Sequence, residues 1–215
     1  MSDIFSEVDE DVRKEKSVEL WNRYGKFVIA GSVLLVAATA AVVGWKNYQQ
    51  SAAQEQGSQF QQAAAYMAEQ KYDDASAAFS LLAENGDTGY QAIARLQQAS
   101  ALIKAGKGGQ AVQVYDDLAA NPDVGSEFSA VAKILAGYYL INKGTTDEVR
   151  KRVADLGTAG SLWSASAQEL LALSDLKDGK IEDARTQLQA LSDDATAPQG
   201  VKQRATELLA ALKNK

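Results

Sequence analysis

The segment Gln70-Lys71-Tyr72-Asp73-Asp74-Ala75 decides the fold, because its pattern returns along the chain. Its counterparts are Gly106-Lys107-Gly108-Gly109-Gln110-Ala111, Gly144-Thr145-Thr146-Asp147-Glu148-Val149 and Gly179-Lys180-Ile181-Glu182-Asp183-Ala184. The last residues of these segments, at 75, 111, 149 and 184, are spaced by 36, 38 and 35. Four positions after three of them stand Phe79, Tyr115 and Leu188, and seven after stand Leu82, Leu118 and Leu191. Twelve before are Ala63, Ala99, Gly137 and Ala172. A small residue in each of two antiparallel helices lets their backbones touch, and the aromatic or leucine one turn on packs against the next unit. Self-similarity at such a period marks stacked helix-turn-helix units that cannot bury their apolar faces singly.

Composition agrees with helix throughout. The 215 residues include only two prolines, and strict alternation of β-branched residues is absent. Turn clusters fall at Asn85-Gly86-Asp87, Asn121-Pro122-Asp123, Asn142 to Thr145, Gly157 to Gly160, Asp178-Gly179 and Asp193 to Pro198. Thr145 with Glu148 has capping-box spacing, and Asp87, Ser126 and Ser161 are expected N-caps. The units resemble the tetratricopeptide repeat over Gln59 to Leu191, best at the turn and second helix. The first helices depart from that family, with Arg95, Lys133 and Gln168 where a bulky aromatic is usual. The third unit departs further, with Val149 for alanine and Arg150 to Arg152 following.

Outward from the repeats, Phe27 to Trp45 carries no charge and is bracketed by Lys26 and Lys46. Nineteen helical residues span roughly 28 Å, close to the hydrocarbon core of a bilayer. Trp21, Tyr24, Trp45 and Tyr48 stand where amphipathic rings favour the interface. Arg13, Lys14, Lys16, Arg23 and Lys26 precede the span, whereas Lys46 stands alone after it until Lys71. That bias predicts a cytoplasmic N-terminus with residues 46–215 on the far side. Ala38-Thr39-Ala40 offers a signal-peptide cleavage site as the competing reading, but the mixed-charge lead-in is long and the apolar run continues to Trp45. Ala37 with Ala41, and Ala40 with Gly44, have the small-residue spacing that admits a partner helix in lipid, although the whole chain is alanine-rich.

The expected architecture is therefore all-α. It comprises a cytoplasmic segment (1–26), a transmembrane helix (27–45), a glutamine-rich linker helix (46–57), a solenoid of four helix pairs (58–195) and a C-terminal capping helix (196–215). The cytoplasmic segment is read as a solvated lead-in that sets topology, with Val8, Val12, Val18 and Leu20 giving a weak apolar stripe.

The sequence suggests no enzyme and no cofactor. Cysteine and histidine are both absent, which removes thiolate sites and the commonest general base and metal ligand. Gly106-Lys107-Gly108-Gly109 lacks the ending of a phosphate loop. Asp73-Asp74, Asp116-Asp117 and Asp193-Asp194 are adjacent carboxylates, and helix neighbours point apart, so they read as solvated surface. A net charge of −6 without a basic cluster beyond residue 26 argues against nucleic acid, and no small-molecule substrate is indicated.

In tetratricopeptide domains the first helix of each unit lines a concave groove. That resemblance implies a protein-binding groove formed by Ile93, Leu96, Ile103, Val131, Ile134, Tyr138, Ile141, Leu170, Leu173 and Leu176. Such a surface suits an unfolded apolar segment or an amphipathic helix. A slip of one residue makes the same positions core, and the C-terminal helix with Val201, Ala205, Leu208, Leu209 and Leu212 is an alternative occupant.

The overall layout, with Trp21-Asn22-Arg23-Tyr24-Gly25-Lys26 ahead of the anchor and degenerate repeats behind it, resembles the YfgM-type ancillary subunits of the SecYEG translocon. That resemblance implies an inner-membrane protein with a periplasmic domain. It would act as a scaffold or chaperone-like adaptor for nascent secreted chains, beside a periplasmic chaperone or prolyl isomerase. A scaffold for division or peptidoglycan machinery is the alternative.

Overall fold

The computed structural model describes residues 3–157 and 162–213, and every regular element among them is a helix. The helices are α1 (Asp3–Ala68), α2 (Tyr72–Asn85), α3 (Thr88–Lys104), α4 (Gly108–Ala120), α5 (Ser126–Lys143), α6 (Thr146–Val153), α7 (Ser164–Lys177), α8 (Ile181–Asp193) and α9 (Gln199–Leu212). The chain divides into two compact units, Met1–Glu55 and Gln56–Lys215, with the boundary inside the range of α1.

In the second unit the repeat positions are the core. Ala63, Ala75, Ala99, Ala111, Val149, Ala172 and Ala184 are all fully buried. Phe79, Leu82, Tyr115, Leu118, Leu188 and Leu191 are buried beside them. The last part of α1 pairs with α2 around Ala63, Ala75 and Phe79, where the Phe60 and Phe79 rings meet edge to face at 5.4 Å. The pairs α3/α4, α5/α6 and α7/α8 follow, and α9 packs on α7 and α8.

The third pair keeps the register that its sequence obscures. Val153 stands four positions after Val149 and both are fully buried, so they fill the places of the alanine and the large residue elsewhere. Gly137 opposite them is bare for a reason. A Cβ there would lie 2.7 Å from Leu170 Cδ1 and 3.5 Å from Val153 Cγ1, so Leu170 of α7 is seated on glycine backbone.

The turns inside the pairs use two solutions. Gln70, Gly106 and Gly179 adopt the left-handed conformation, at φ of 60°, 77° and 77°. The chain then reverses so that the amides of Lys71, Lys107 and Lys180 bond back to the carbonyls of Tyr66, Leu102 and Asp175. Gly144 instead stays extended at φ −115°, and α6 starts on a complete capping box between Thr145 and Glu148. Asp87 caps α3 as expected, its carboxylate accepting the Tyr90 amide at 3.0 Å. Ser126 does not cap α5: Gly125 holds the cap position and Ser126 is the first helical residue. Ser161 lies outside the described residues.

Gly108 explains the glycine-rich turn before α4. Its missing side chain leaves room for Tyr139 of α5, whose hydroxyl would lie 1.7 Å from any Cβ built there. Close contact between successive units, not anion binding, accounts for that glycine.

In the first unit, the long apolar helix is the one element among the described residues able by length and composition to cross a membrane. Leu34 and Leu35 are 72 % and 68 % exposed, so none of the described residues covers them. The two hydroxyls in the span satisfy themselves: Ser32 Oγ donates to Val28 O and Thr39 Oγ1 to Leu35 O, each at 2.8 Å. Such internal bonding is what a hydrocarbon surrounding demands. Ala37, Ala40, Ala41 and Gly44 are exposed along this helix, and a Cβ on Gly44 would meet nothing within 4 Å. Val18 and Leu20 of the lead-in are exposed, whereas the side chains of Val8 and Val12 lie outside the described residues.

Candidate protein-binding groove

The apolar residues expected to line the groove divide between surface and core. Ile93 is 40 % exposed, and Val131 and Leu173 are half-buried. Leu96 and Ile103 lie partly buried against the core of α3, α4 and α5, Tyr138 and Ile141 against that of α5, α6 and α7, and Leu176 against that of α7, α8 and α9. Two expectations are corrected. Ile134 is 4 % exposed and Leu170 is 0 %, so both are core side chains that no ligand reaches. Leu170 fails by a single step. The position equivalent to Leu96 and Ile134, three before the small residue of each unit, is Glu169 in the fourth pair.

Glu169 is the residue that the apolar pattern overlooked. Its side chain is 2 % exposed, yet it is a carboxylate. Burying it requires a cation and full hydrogen bonding, which α9 and α5 supply between them. Arg204 Nε donates to Glu169 Oε1 at 2.6 Å and Nη2 to Oε2 at 2.6 Å, a bidentate pair. The Tyr138 hydroxyl of α5 donates to Glu169 Oε2 at 2.7 Å and accepts from Arg204 Nη2 at 3.3 Å. Burial, then the neighbouring Glu169 carboxylate, pushes the Tyr138 phenol up to about 12. The bond to Glu169 raises the Arg204 guanidinium further above its ordinary value. One signal was available in the sequence: a charged residue at a position that is apolar in the two preceding units.

These three side chains form one wall of a depression of about 470 Å³ between α5, α7 and α9, which Ile141, Asn142, Leu173, Glu207 and Leu208 complete. The apolar face of α9 is turned to α7 and α8, where Val201, Ala205 and Leu212 are buried with Leu188 and Leu191. Helix α9 therefore packs on the fourth pair, and among the described residues it does not cover the exposed Ile93 of α3.

The arginines that blur the third unit in sequence tie it to its neighbours. Arg150 donates to Asp178 at 2.7 Å and to Asp175 at 2.7 Å, reaching from α6 to α7 and its C-cap. Gln187 of α8 completes Asp175 at 2.7 Å, and Thr146 donates to Asp178 at 2.8 Å. Arg152 reaches the other way and holds both oxygens of Asp116 in α4, at 2.8 and 2.7 Å. Asp116 is thus an ion-pair partner and not simply solvated surface. Asp73 pairs with Lys107 at 3.0 Å, and Asp194 accepts the Thr196 amide at 2.7 Å within its turn. Each adjacent carboxylate pair thus has a member engaged inside the chain. Among the described residues no group of three or more acids is placed to hold a metal ion.

Comparison with known proteins accords with this geometry. No curated protein and no solved structure matches the chain. The model of the tetratricopeptide repeat-like domain family matches residues 19–208, a range that includes the paired helices and their buried small residues. With most of its length matched, from the apolar helix to α9, the chain belongs to the tetratricopeptide repeat-like domain family.

Proposed function

We propose that this protein is a non-enzymatic, membrane-anchored scaffold of the bacterial inner membrane. Its repeat domain lies on the periplasmic side and receives apolar segments of chains emerging from the SecYEG translocon. The observation that carries the reading is the row of half-exposed apolar side chains on first helices of successive pairs: Ile93 on α3, Val131 on α5 and Leu173 on α7. Repeat domains of this family mediate contacts between proteins, and such a row suits an extended or amphipathic partner. The lysine and arginine excess before Phe27 supports the orientation. Resemblance to YfgM-type ancillary subunits supports the translocon, with a periplasmic chaperone or prolyl isomerase as co-worker.

Photo-crosslinking residues placed at Ile93 and Leu173 in intact cells test this reading. Adducts with translocon subunits and nascent secreted chains are expected. Adducts confined to wall-synthesis or division proteins would replace the translocon with cell-envelope assembly. Because the chain lacks cysteine, a single cysteine introduced near Lys213 reports topology directly. Labelling by an impermeant maleimide from the outer side is expected, and labelling only after lysis would overturn the orientation.

A further inference from the structure

The depression between α5, α7 and α9 is lined by charged as well as apolar side chains. Arg204 is committed to Glu169 through two bonds, which offset its charge although the guanidinium stays half-exposed. Lys177, at the end of α7, spends its ammonium on the carbonyls of Ile141 and Gly144 at 3.1 and 2.8 Å. Glu207 remains. It is exposed on α9, lines the depression, and accepts the Gln203 amide on Oε1 at 3.0 Å. Its other oxygen carries no hydrogen bond among the described residues. Beside it lie Leu173 and Leu208.

We propose that this depression takes a segment carrying a lysine or arginine flanked by leucine-sized side chains, with the cation on Glu207 and the apolar groups against Leu173 and Leu208. The inference rests on the protein-binding reading of the groove and specifies the chemistry of what is bound. An acidic segment is disfavoured by Glu207 and by the chain's net charge of −6.

Three fluorescent peptides of equal length and identical leucines, with lysine, glutamine or glutamate at the intervening positions, provide the test. Their binding to the full chain is measured by anisotropy in zwitterionic-lipid nanodiscs at low salt, with empty nanodiscs as the blank. The lysine peptide should bind about three-fold more tightly than the glutamine peptide, the span of one exposed ion pair. The glutamate peptide should bind most weakly. Glu207→Lys, on the exposed rim, should reverse that order, and Leu173→Ser should weaken all three alike. Equal binding of the three peptides would overturn the charge preference while leaving the groove a protein site. Tightest binding of the glutamate peptide, or an order that Glu207→Lys does not change, would also overturn it. No binding by any peptide would remove the protein-binding reading of this depression as well.

Discussion

Glu169 occupies a place where a carboxylate is costly, and the cost is offset from another helix. At 2 % exposure it depends on both donors of Arg204 and on the Tyr138 hydroxyl. A buried pair of this kind adds little stability compared with well-packed apolar side chains, but breaking one half strands the other. Arg204→Met should therefore cost about 3 kcal/mol, the lower end of the range because the arginine is half-exposed. Glu169→Met combined with Arg204→Met should cost less than the single change. Urea unfolding of the full chain in mild detergent measures both, and equal costs would show that Glu169 is not stranded. The apolar rule that governs Leu96 and Ile134 misses this residue because periodicity reports which face is buried. It does not report whether a distant arginine stands opposite.

At the scale of the element, the turns show how one pattern supports two backbones. Gln70 takes a left-handed φ of 60° where the second and fourth pairs have Gly106 and Gly179 at 77°. A side chain at such an angle costs roughly 1 kcal/mol, which glycine avoids. Gln70→Gly should therefore stabilise the protein by up to about 1 kcal/mol. Gly106→Ala and Gly179→Ala should each destabilise it by about the same amount. A Cβ at either glycine would meet nothing within 4 Å, so the backbone alone sets that cost. Thermal unfolding of the three variants checks the signs, and a stabilised Gly106→Ala would refute the argument. Gly144 differs because α6 is opened by Thr145 and Glu148, a capping box legible in sequence. The consequence for the turn was not legible, since Gly144 sits in the same repeat position as the left-handed glycines. Ser126 shows the limit of cap prediction in the same way: glycine is an acceptable cap too, and Gly125 holds that position.

For the whole molecule, charge pairing fixes how stability follows pH. Hydrogen bonds from Arg150 and then Thr146 hold Asp178 below its ordinary value, and Thr145 and Thr196 do the same for Glu148 and Asp194. Depressed carboxylates stabilise above their unfolded pKa near 4 and lose that contribution as pH falls through the folded value. Tyr138 and Tyr115, both pushed up to about 12 by burial, stabilise below about 10 and lose the contribution as pH rises toward 12. With no histidine to titrate between them, helicity at fixed urea should be level from about pH 5 to 9 and fall on both sides. A step near pH 6.5 would contradict it. The sequence by itself determined the helical class, the uncharged span from Phe27 to Trp45, and the repeat positions from Ala63 to Leu191. Each of these depends on local composition or on a period that the chain carries in linear order. Tertiary structure decided what depends on partners remote in sequence. Leu170 became core because Gly137 leaves space beneath it, and Arg150 and Arg152 became clamps because Asp175, Asp178 and Asp116 stand opposite. One wall of the depression became an ion pair because α9 brings Arg204 across to the buried Glu169, a meeting of side chains that no spacing along the chain encodes.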